Sequence, residues 1–350
     1  MKKYYTRVCN FYYGKKSKYL IKKKKSLPLN GSLNISFDHI EILTRNSIKL
    51  IHIKNIKNLP VNLKKIVKKN LKNITKKKNN FSNFNFNYYP NIMGILNLTP
   101  DSFSDGGKYN KFFLGYKHAI NLFNSGSNIV DIGGESTRPG SNTINATKEW
   151  NRINPIIKKL KKKIPISLDT RKSSVMKNGI KLGVKLINDI SGLKFDNNSI
   201  NVIKKHNIPF VINHIQGDPS TMQKNPKYKN ILFDIYDYFE ERIRHVRLKD
   251  IKHNNIIIDP GIGFGKNLKH NMTLINNISI FHSLGFPIML GVSRKRFIKD
   301  ISGKKDNKQR LGGTIGSTLF ALMQGVQILR VHDVNEVNQS IKVFKKLLEN

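Results

Sequence analysis

Asp169, Asn188, Asp259 and Lys295 each stand at or just past the end of a short apolar run, in "ISLD", "LIND", "IIID" and "GVSRKRF". Two carboxylates, an amide and an ammonium around one cavity suit a flat heterocycle with both N–H donors and carbonyl or ring-nitrogen acceptors. Buried without such a ligand or one another, each group would cost roughly a few kcal/mol. Taken singly, each has a plainer reading. Asp169 could cap the helix that follows, Asn188 and Asp189 could satisfy loop amides, and Asp259 could be a turn aspartate. A second set is cationic: Arg138 in "GGESTRPG" (133–140), with Arg330 and His332 in "LRVHD" (329–333). Guanidinium groups bind phosphate or carboxylate in pairs of hydrogen bonds, and Thr137 with its neighbouring glycines adds donors, so this set reads as a phosphate site. The plainer reading pairs Arg330 with Asp333. In "IMGILNLTPDSFSDGG" (92–107), Asn97 offers a carbonyl oxygen suited to Mg²⁺ shared with substrate phosphates. Asp101 and Asp105 lie on a Gly/Ser-rich segment able to fold over a cavity, exclude water and bring negative charge to a developing cation.

For these residues to meet, the elements that carry them must converge. From residue 91 short apolar strands alternate with amphipathic helical stretches. The strands are read at 91–97, 128–133, 165–170, 186–190, 208–213, 255–259, 287–292 and 326–331. Helical patterns fill the gaps, among them 112–125, 172–182, 230–250, 268–284 and 311–325. Eight such units over about 260 residues is the arithmetic of an α/β chain closed into a (β/α)8 TIM barrel, with a doubly wound sheet as the fallback. In such barrels chemistry sits at the C-terminal strand ends. Those ends supply Asn97, Asp131 to Arg138, Asp169, Asn188 with Asp189, His214, Asp259, Ser293 to Arg296, and Arg330 with His332.

The first ninety residues differ. They hold many lysines and only two acids, Asp38 and Glu41. Residues 32–43 and 47–56 alternate like paired strands, and 61–74 has helical spacing. Residues 1–75 are read as a small basic α+β appendage, with an organelle transit peptide as the alternative, 76–90 as a linker and 91–350 as the barrel. A chain beginning near Asn87 is therefore expected to fold and act. The net charge of +41, from 63 Lys and Arg against 22 acids, invites a nucleic-acid partner. No basic stripe is interleaved with aromatics, however, so the reading is solvated lysine faces and no nucleic acid. No window approaches eighteen uncharged apolar residues, which excludes a membrane-spanning helix. Cys9 is the single cysteine, and the start lacks a secretory stretch, so a soluble, cytoplasmic protein is expected.

The motifs "MGILNLTPDSFSDGG", "DIGGESTRPG", "ISLDTRKSSV", "INDISG", "HIQGDPSTMQ", "DPGIGFGKN", "GVSRKRFI" and "ILRVHDV" together resemble the dihydropteroate synthase family, in its order and spacing, over about residues 91–345. The resemblance implies a TIM barrel of folate biosynthesis that joins 4-aminobenzoate to (7,8-dihydropterin-6-yl)methyl diphosphate, with Mg²⁺ as cofactor and a homodimer as assembly. By motif, Asp169, Asn188, Asp259 and Lys295 would hold the pterin, Asn97 the Mg²⁺, and Thr137, Arg330 and His332 the diphosphate. Arg138 and the loop with Phe103 and Asp105 would close over the aminobenzoate. The catalytic set so implied is Asp105, Arg138 and Lys295. One departure is Arg296, where the family often has a serine that helps hold the aminobenzoate carboxylate. Ser293 or backbone amides are the substitutes. A pterin-binding methyltransferase on the same barrel and an inactive synthase paralogue are the alternatives.

Overall fold

The structure is a computed structural model that describes residues 3–80, 84–86, 90–99 and 112–349. The barrel strands are short because both of their faces are covered, so a few apolar residues suffice and no polar face is needed. In chain order the elements before the barrel are β1 (Tyr5–Tyr13), α1 (Gly14–Lys22), β2 (Leu27–Leu29), β3 (Ser32–Leu43), β4 (Ile48–His52) and α2 (Val61–Thr75). The barrel follows as β5 (Asn91–Asn97), α3 (Phe112–Asn124), β6 (Ile129–Gly133), α4 (Ala146–Leu160), β7 (Ile166–Asp169), α5 (Ser173–Lys181), β8 (Leu186–Asp189) and α6 (Ser199–His206). It continues through β9 (Phe210–Asn213), α7 (Ile231–Leu248), β10 (Ile256–Asp259), α8 (Leu268–Asn276), β11 (Met289–Leu290), α9 (Arg296–Ser302), α10 (Leu311–Met323), β12 (Ile328–Val331) and α11 (Val334–Glu349).

Strands β5 to β12 are parallel and adjacent in sequence order, and β12 also pairs with β5. A single parallel bridge, Ile258 to Ile288, joins β10 to the β11 side. That contact decides against the doubly wound sheet: the structure is an eight-stranded TIM barrel.

Side chains alternate across each strand, so every second residue points into the barrel. The inward positions start apolar and end polar. Met93, Ile129, Leu186, Val211, Ile257, Met289 and Ile328 form one buried cluster at the base. Two residues further along β6, β8, β9, β10 and β12 stand Asp131, Asn188, Asn213, Asp259 and Arg330. The helices sort equally clearly: α4, for example, buries Ile153, Ile156, Ile157 and Leu160 and exposes its lysines.

The stretch read as a linker is partly core. Phe84 and Phe86 are buried in the same basal cluster and close the floor of the barrel. Their alternation with asparagines hides an apolar pair in a polar composition. The appendage is likewise packed against the barrel. Strand β3 pairs with β1 on one side and with β2 and β4 on the other. The Tyr5 ring stacks on Phe233 of α7 at 4.4 Å, Ser279 Oγ donates to the Val8 carbonyl at 2.9 Å, and Tyr13 Oη donates to the Met323 carbonyl at 2.8 Å. A chain beginning at Asn87 would lose the floor and strip this flank, so the expectation that it folds and acts is replaced by one of strong destabilisation. The sharper test is Phe84→Ala, which should cost about 3–5 kcal/mol by denaturant unfolding, the usual toll for emptying a buried phenylalanine site. A loss below about 1 kcal/mol would mean that the floor is held elsewhere.

Candidate functional site

At the C-terminal strand ends lies a cavity of about 470 Å³. Asn97, Thr137, Arg138, Ser293, Lys295, Arg330 and His332 all line it. A larger groove, about 690 Å³, runs along the flank between α2 and α7, but it holds none of the strand-end residues. The chemistry therefore belongs to the smaller cavity. Asp169, Asn188 and Asp259 are buried and are not on its wall. Arg330 joins the two groups. Phe103 and Asp105, with the rest of the segment 100–111, lie outside the described residues.

Asp131, fully buried, is the anchor of the deeper group. It accepts from Ser167 Oγ at 2.6 Å, from Asn188 Nδ2 at 2.9 Å and from Arg330 Nε at 2.7 Å. Arg330 Nη2 donates in turn to Asp169 Oδ2 at 2.7 Å. Two buried carboxylates thus share one guanidinium. Burial pushes the Asp169 carboxyl up to about 7, with Asp131 adding to the rise and Arg330 opposing it. The bond from Asn188 Nδ2 to Asp131 fixes that amide's orientation. Its Oδ1, buried and without a partner, is left as a free acceptor.

The plainer readings separate cleanly here. Asp189 does satisfy loop groups, accepting from the Ser191 amide and hydroxyl and from the Leu193 amide. Asp169 caps nothing: the Ser173 amide is taken by Asp196. Asp259 is a turn aspartate as well as a deep carboxylate, accepting from the Gly261 amide at 2.8 Å. Arg330 does not pair with Asp333, whose carboxylate is held by Arg294.

Lys295 lies over the Phe264 ring, its Nζ 4.5 Å from the centroid, and donates to the Ile262 carbonyl. Burial lowers its ammonium to about 8, with Asp259 holding it up. Gly263 stands at φ +83°, where a Cβ would come within 3.0 Å of Lys295 Cδ. His332 corrects the sequence reading of a cationic cluster. Burial first, then Arg294, Arg330 and Lys295, hold its imidazole well below its ordinary range, so it is neutral. Its Nδ1 is 3.0 Å from Ser293 Oγ, which commits that serine to the histidine. Arg296 is mostly exposed on the cavity rim, 3.6 Å from Asp300.

Two groups to which the sequence reading gave no role hold the loops. Glu135, at the base of the Thr137–Arg138 loop, pairs with Arg171 at 2.9 Å and Lys172 at 2.8 Å, and Lys172 also reaches Glu149 at 2.6 Å. Burial alone would raise Glu135, but the hydrogen bonds from Arg171 and Lys172 outweigh it and keep its carboxyl below the usual range. Lys266, buried, donates to the His214 and Phe264 carbonyls at 3.3 and 2.8 Å and so clips together the loops after β9 and β10. Asp131 was legible as an inward position two residues before Gly133, but nothing in its type told an anchor from a ligand.

The pattern of the pterin binding enzyme family matches residues 93–332. A dihydropteroate synthase of Escherichia coli is 38% identical over 262 residues, 74% of this chain and 92% of its own length. The structure is similar to a Clostridium difficile dihydropteroate synthase solved in the presence of pteroic acid, with a TM-score of 0.70, 39% identity, and coverage of 76% of this chain and 100% of that one. It is also similar to a Xanthomonas albilineans dihydropteroate synthase with 4-aminobenzoic acid, with a TM-score of 0.69, 33% identity, and coverage of 74% and 93%.

Glu135→Ala takes the close carboxylate from buried Arg171 and leaves Lys172 with Glu149 alone, and should cost about 3–5 kcal/mol in denaturant unfolding, as breaking a buried pair does. Because Glu135 titrates below its ordinary 4.5 in the fold, its contribution is present above that pH and disappears as pH falls through the lower folded value. The wild-type and variant stability curves should therefore converge on acidification. Parallel curves would show that Glu135 is not the group involved.

Proposed function

Because the chain belongs to the dihydropteroate synthase family of pterin-binding enzymes, we propose that it joins 4-aminobenzoate to (7,8-dihydropterin-6-yl)methyl diphosphate. The products are 7,8-dihydropteroate and diphosphate. The observation that carries this reading is the strand-end array inside the matched region, in which Asp131 and Arg330 hold Asp169 and Asn188 as a pair of ring acceptors. The relatives reported above are synthases, which ranks a methyltransferase below this reading.

The ring N–H groups are met by Asp169, by Asn188 Oδ1 and by Asp259, while Lys295 donates to a ring acceptor. The diphosphate lies toward Thr137, Arg330 and His332 on the cavity wall. Arg330 is pinned by two carboxylates, so its remaining N–H groups are fixed in place before the leaving group develops charge, which is how preorganised donors lower a barrier. His332, being neutral, contributes a hydrogen bond and no charge. The carbon–oxygen bond of the pterin methylene breaks with its electron pair going to diphosphate. The neutral aromatic amine bonds to that carbon and then loses a proton. Arg138 on the wall, with Phe103 and Asp105, is assigned to the aminobenzoate side, and Arg296 at the rim to its carboxylate.

The residues fit Mg²⁺ as a group shared with substrate. Asn97 is on the cavity wall, and its carboxamide oxygen is a hard donor of the kind that Mg²⁺ takes. When bound there, Mg²⁺ would neutralise phosphate charge. A homodimer is proposed on the resemblance and on three mutually packed helices, α8, α9 and α10, that expose Met272, Ile301 and Phe320. The cytoplasm is the proposed location, on the single cysteine in the sequence. No helix of the described residues is long and apolar enough to cross a membrane.

Turnover of the two substrates with Mg²⁺ tests the reaction, and its absence in a folded, pterin-binding protein would favour an inactive paralogue. Asp169→Asn should weaken binding of a pterin analogue about 10- to 150-fold, the equivalent of one charged hydrogen bond. In the wild type, the ligand selects the ionised carboxyl of a group raised to about 7, so affinity should fall as pH drops below that value and level off above it. Calorimetry across pH 5.5–8.5, taken about the neutral range, checks both. Flat affinity would remove Asp169 from the site.

A further inference from the structure

We propose that Asn213 is a specificity-determining residue of the pterin site, its carboxamide oxygen accepting a hydrogen bond from an N–H of the bound heterocycle. Three observations converge on it. Asn213 ends β9, two residues beyond Val211, which belongs to the basal cluster inside the barrel, so alternation turns Asn213 inward as well. It stands in register with Asp259 on β10, while β8 on its other side carries Asn188. It is only 3% exposed, and its Oδ1 is buried with no hydrogen-bond partner.

A buried amide oxygen with nothing to accept is a standing cost, and such atoms in folded proteins generally have an explanation in function. Here the surroundings supply none of their own. The Asn213 backbone carbonyl is taken by Tyr238 Oη at 2.9 Å, and the side-chain oxygen faces Gly261, the turn glycine whose amide is already held by Asp259. Gly261, at φ +67°, leaves room for that oxygen: a Cβ there would lie 2.6 Å from Asn213 Oδ1. The neighbouring Asn188 has its Nδ2 tied to Asp131 and its own Oδ1 unpartnered. Adjacent strand ends β8, β9 and β10 therefore present two unpaired amide oxygens beside a carboxylate. That row matches a heterocyclic edge with several N–H groups better than the two carboxylates and one amide read from the sequence.

This inference rests on the synthase reading and adds a residue to it. The test uses Asn213→Leu, which keeps much of the volume and removes the acceptor, with calorimetry on a pterin and on a panel of pterin analogues each lacking one N–H by methylation or carbon substitution. The parent pterin should bind about tenfold or more weakly to the variant. One analogue, missing the N–H that faces Asn213, should bind wild type and variant alike. The KM for 4-aminobenzoate should not move. Equal affinity of the parent for both proteins, or the same loss for every analogue, overturns the proposal. If Asn213→Leu does not fold, Asn213→Ala is read by the same criteria. A wild type that binds no pterin at all would overturn the synthase reading and this proposal with it, whereas a binding wild type with an indifferent variant overturns only the latter.

Discussion

One guanidinium shared by two buried carboxylates is the constraint around which the rest of the site is arranged. Arg330 crosses from β12 to reach Asp131 on β6 and Asp169 on β7, at 2.7 Å each. Burying either acid, or Arg330, without the others would leave an uncompensated charge in the interior. Burial raises Asp169, Arg330 opposes the rise and Asp131 adds to it, and a ligand with N–H donors relieves the site. The arrangement also fixes Ser167 and Asn188, both of which donate to Asp131. The barrel makes this possible, since it sets β12 next to β5 and one strand away from β6.

A polar interior of this kind needs a dry and rigid frame below it. The basal cluster supplies that frame, and Phe84 and Phe86 complete it from outside the eight βα units. Above the strand ends the frame is replaced by buried charged groups, paired with one another or bonded to backbone carbonyls. Glu135 with Arg171 and Lys172 fixes the loop after β6, and Lys266 fixes the loops after β9 and β10. Such pairs are weak contributors to net stability. Their use here is positional: they hold Thr137, Arg138 and Phe264 around the cavity where helix and strand packing no longer reaches.

The strands and their C-terminal ends were legible because a period of two and a run of β-branched residues survive in any composition. Strand bounds moved by a residue or two, and β11 shrank to Met289–Leu290. Other features were hidden for identifiable reasons. Strand β1 was obscured by its lysine-rich flanks, and Phe84 and Phe86 by the asparagines around them. The neutrality of His332 depends on burial among three cations, which no local pattern encodes. Asp131 and Asn213 sat at inward positions visible in the alternation, but a partner across the barrel, or the lack of one, is a property of three dimensions.

Charge at the cavity is likewise local and does not follow from the net +41 of the chain. Three of the deep cations are already matched: Arg330 by Asp131 and Asp169, Arg294 by Asp333, and Lys295 by the nearby Asp259. The lysines that make up most of the excess lie on outer faces, where salt screens them beyond about 8 Å. What remains to act on an approaching anion is the rim, where Arg296, Lys299 and Lys305 line the mouth of the same cavity. Both proposed substrates are anions, one a diphosphate and one a carboxylate. A rim of exposed cations over a floor of neutralised ones draws them in without holding the product's charge at the bottom. The division of labour is therefore vertical: attraction at the mouth, recognition by paired and hydrogen-bonded groups below, and an apolar floor that gives the charges nowhere else to go.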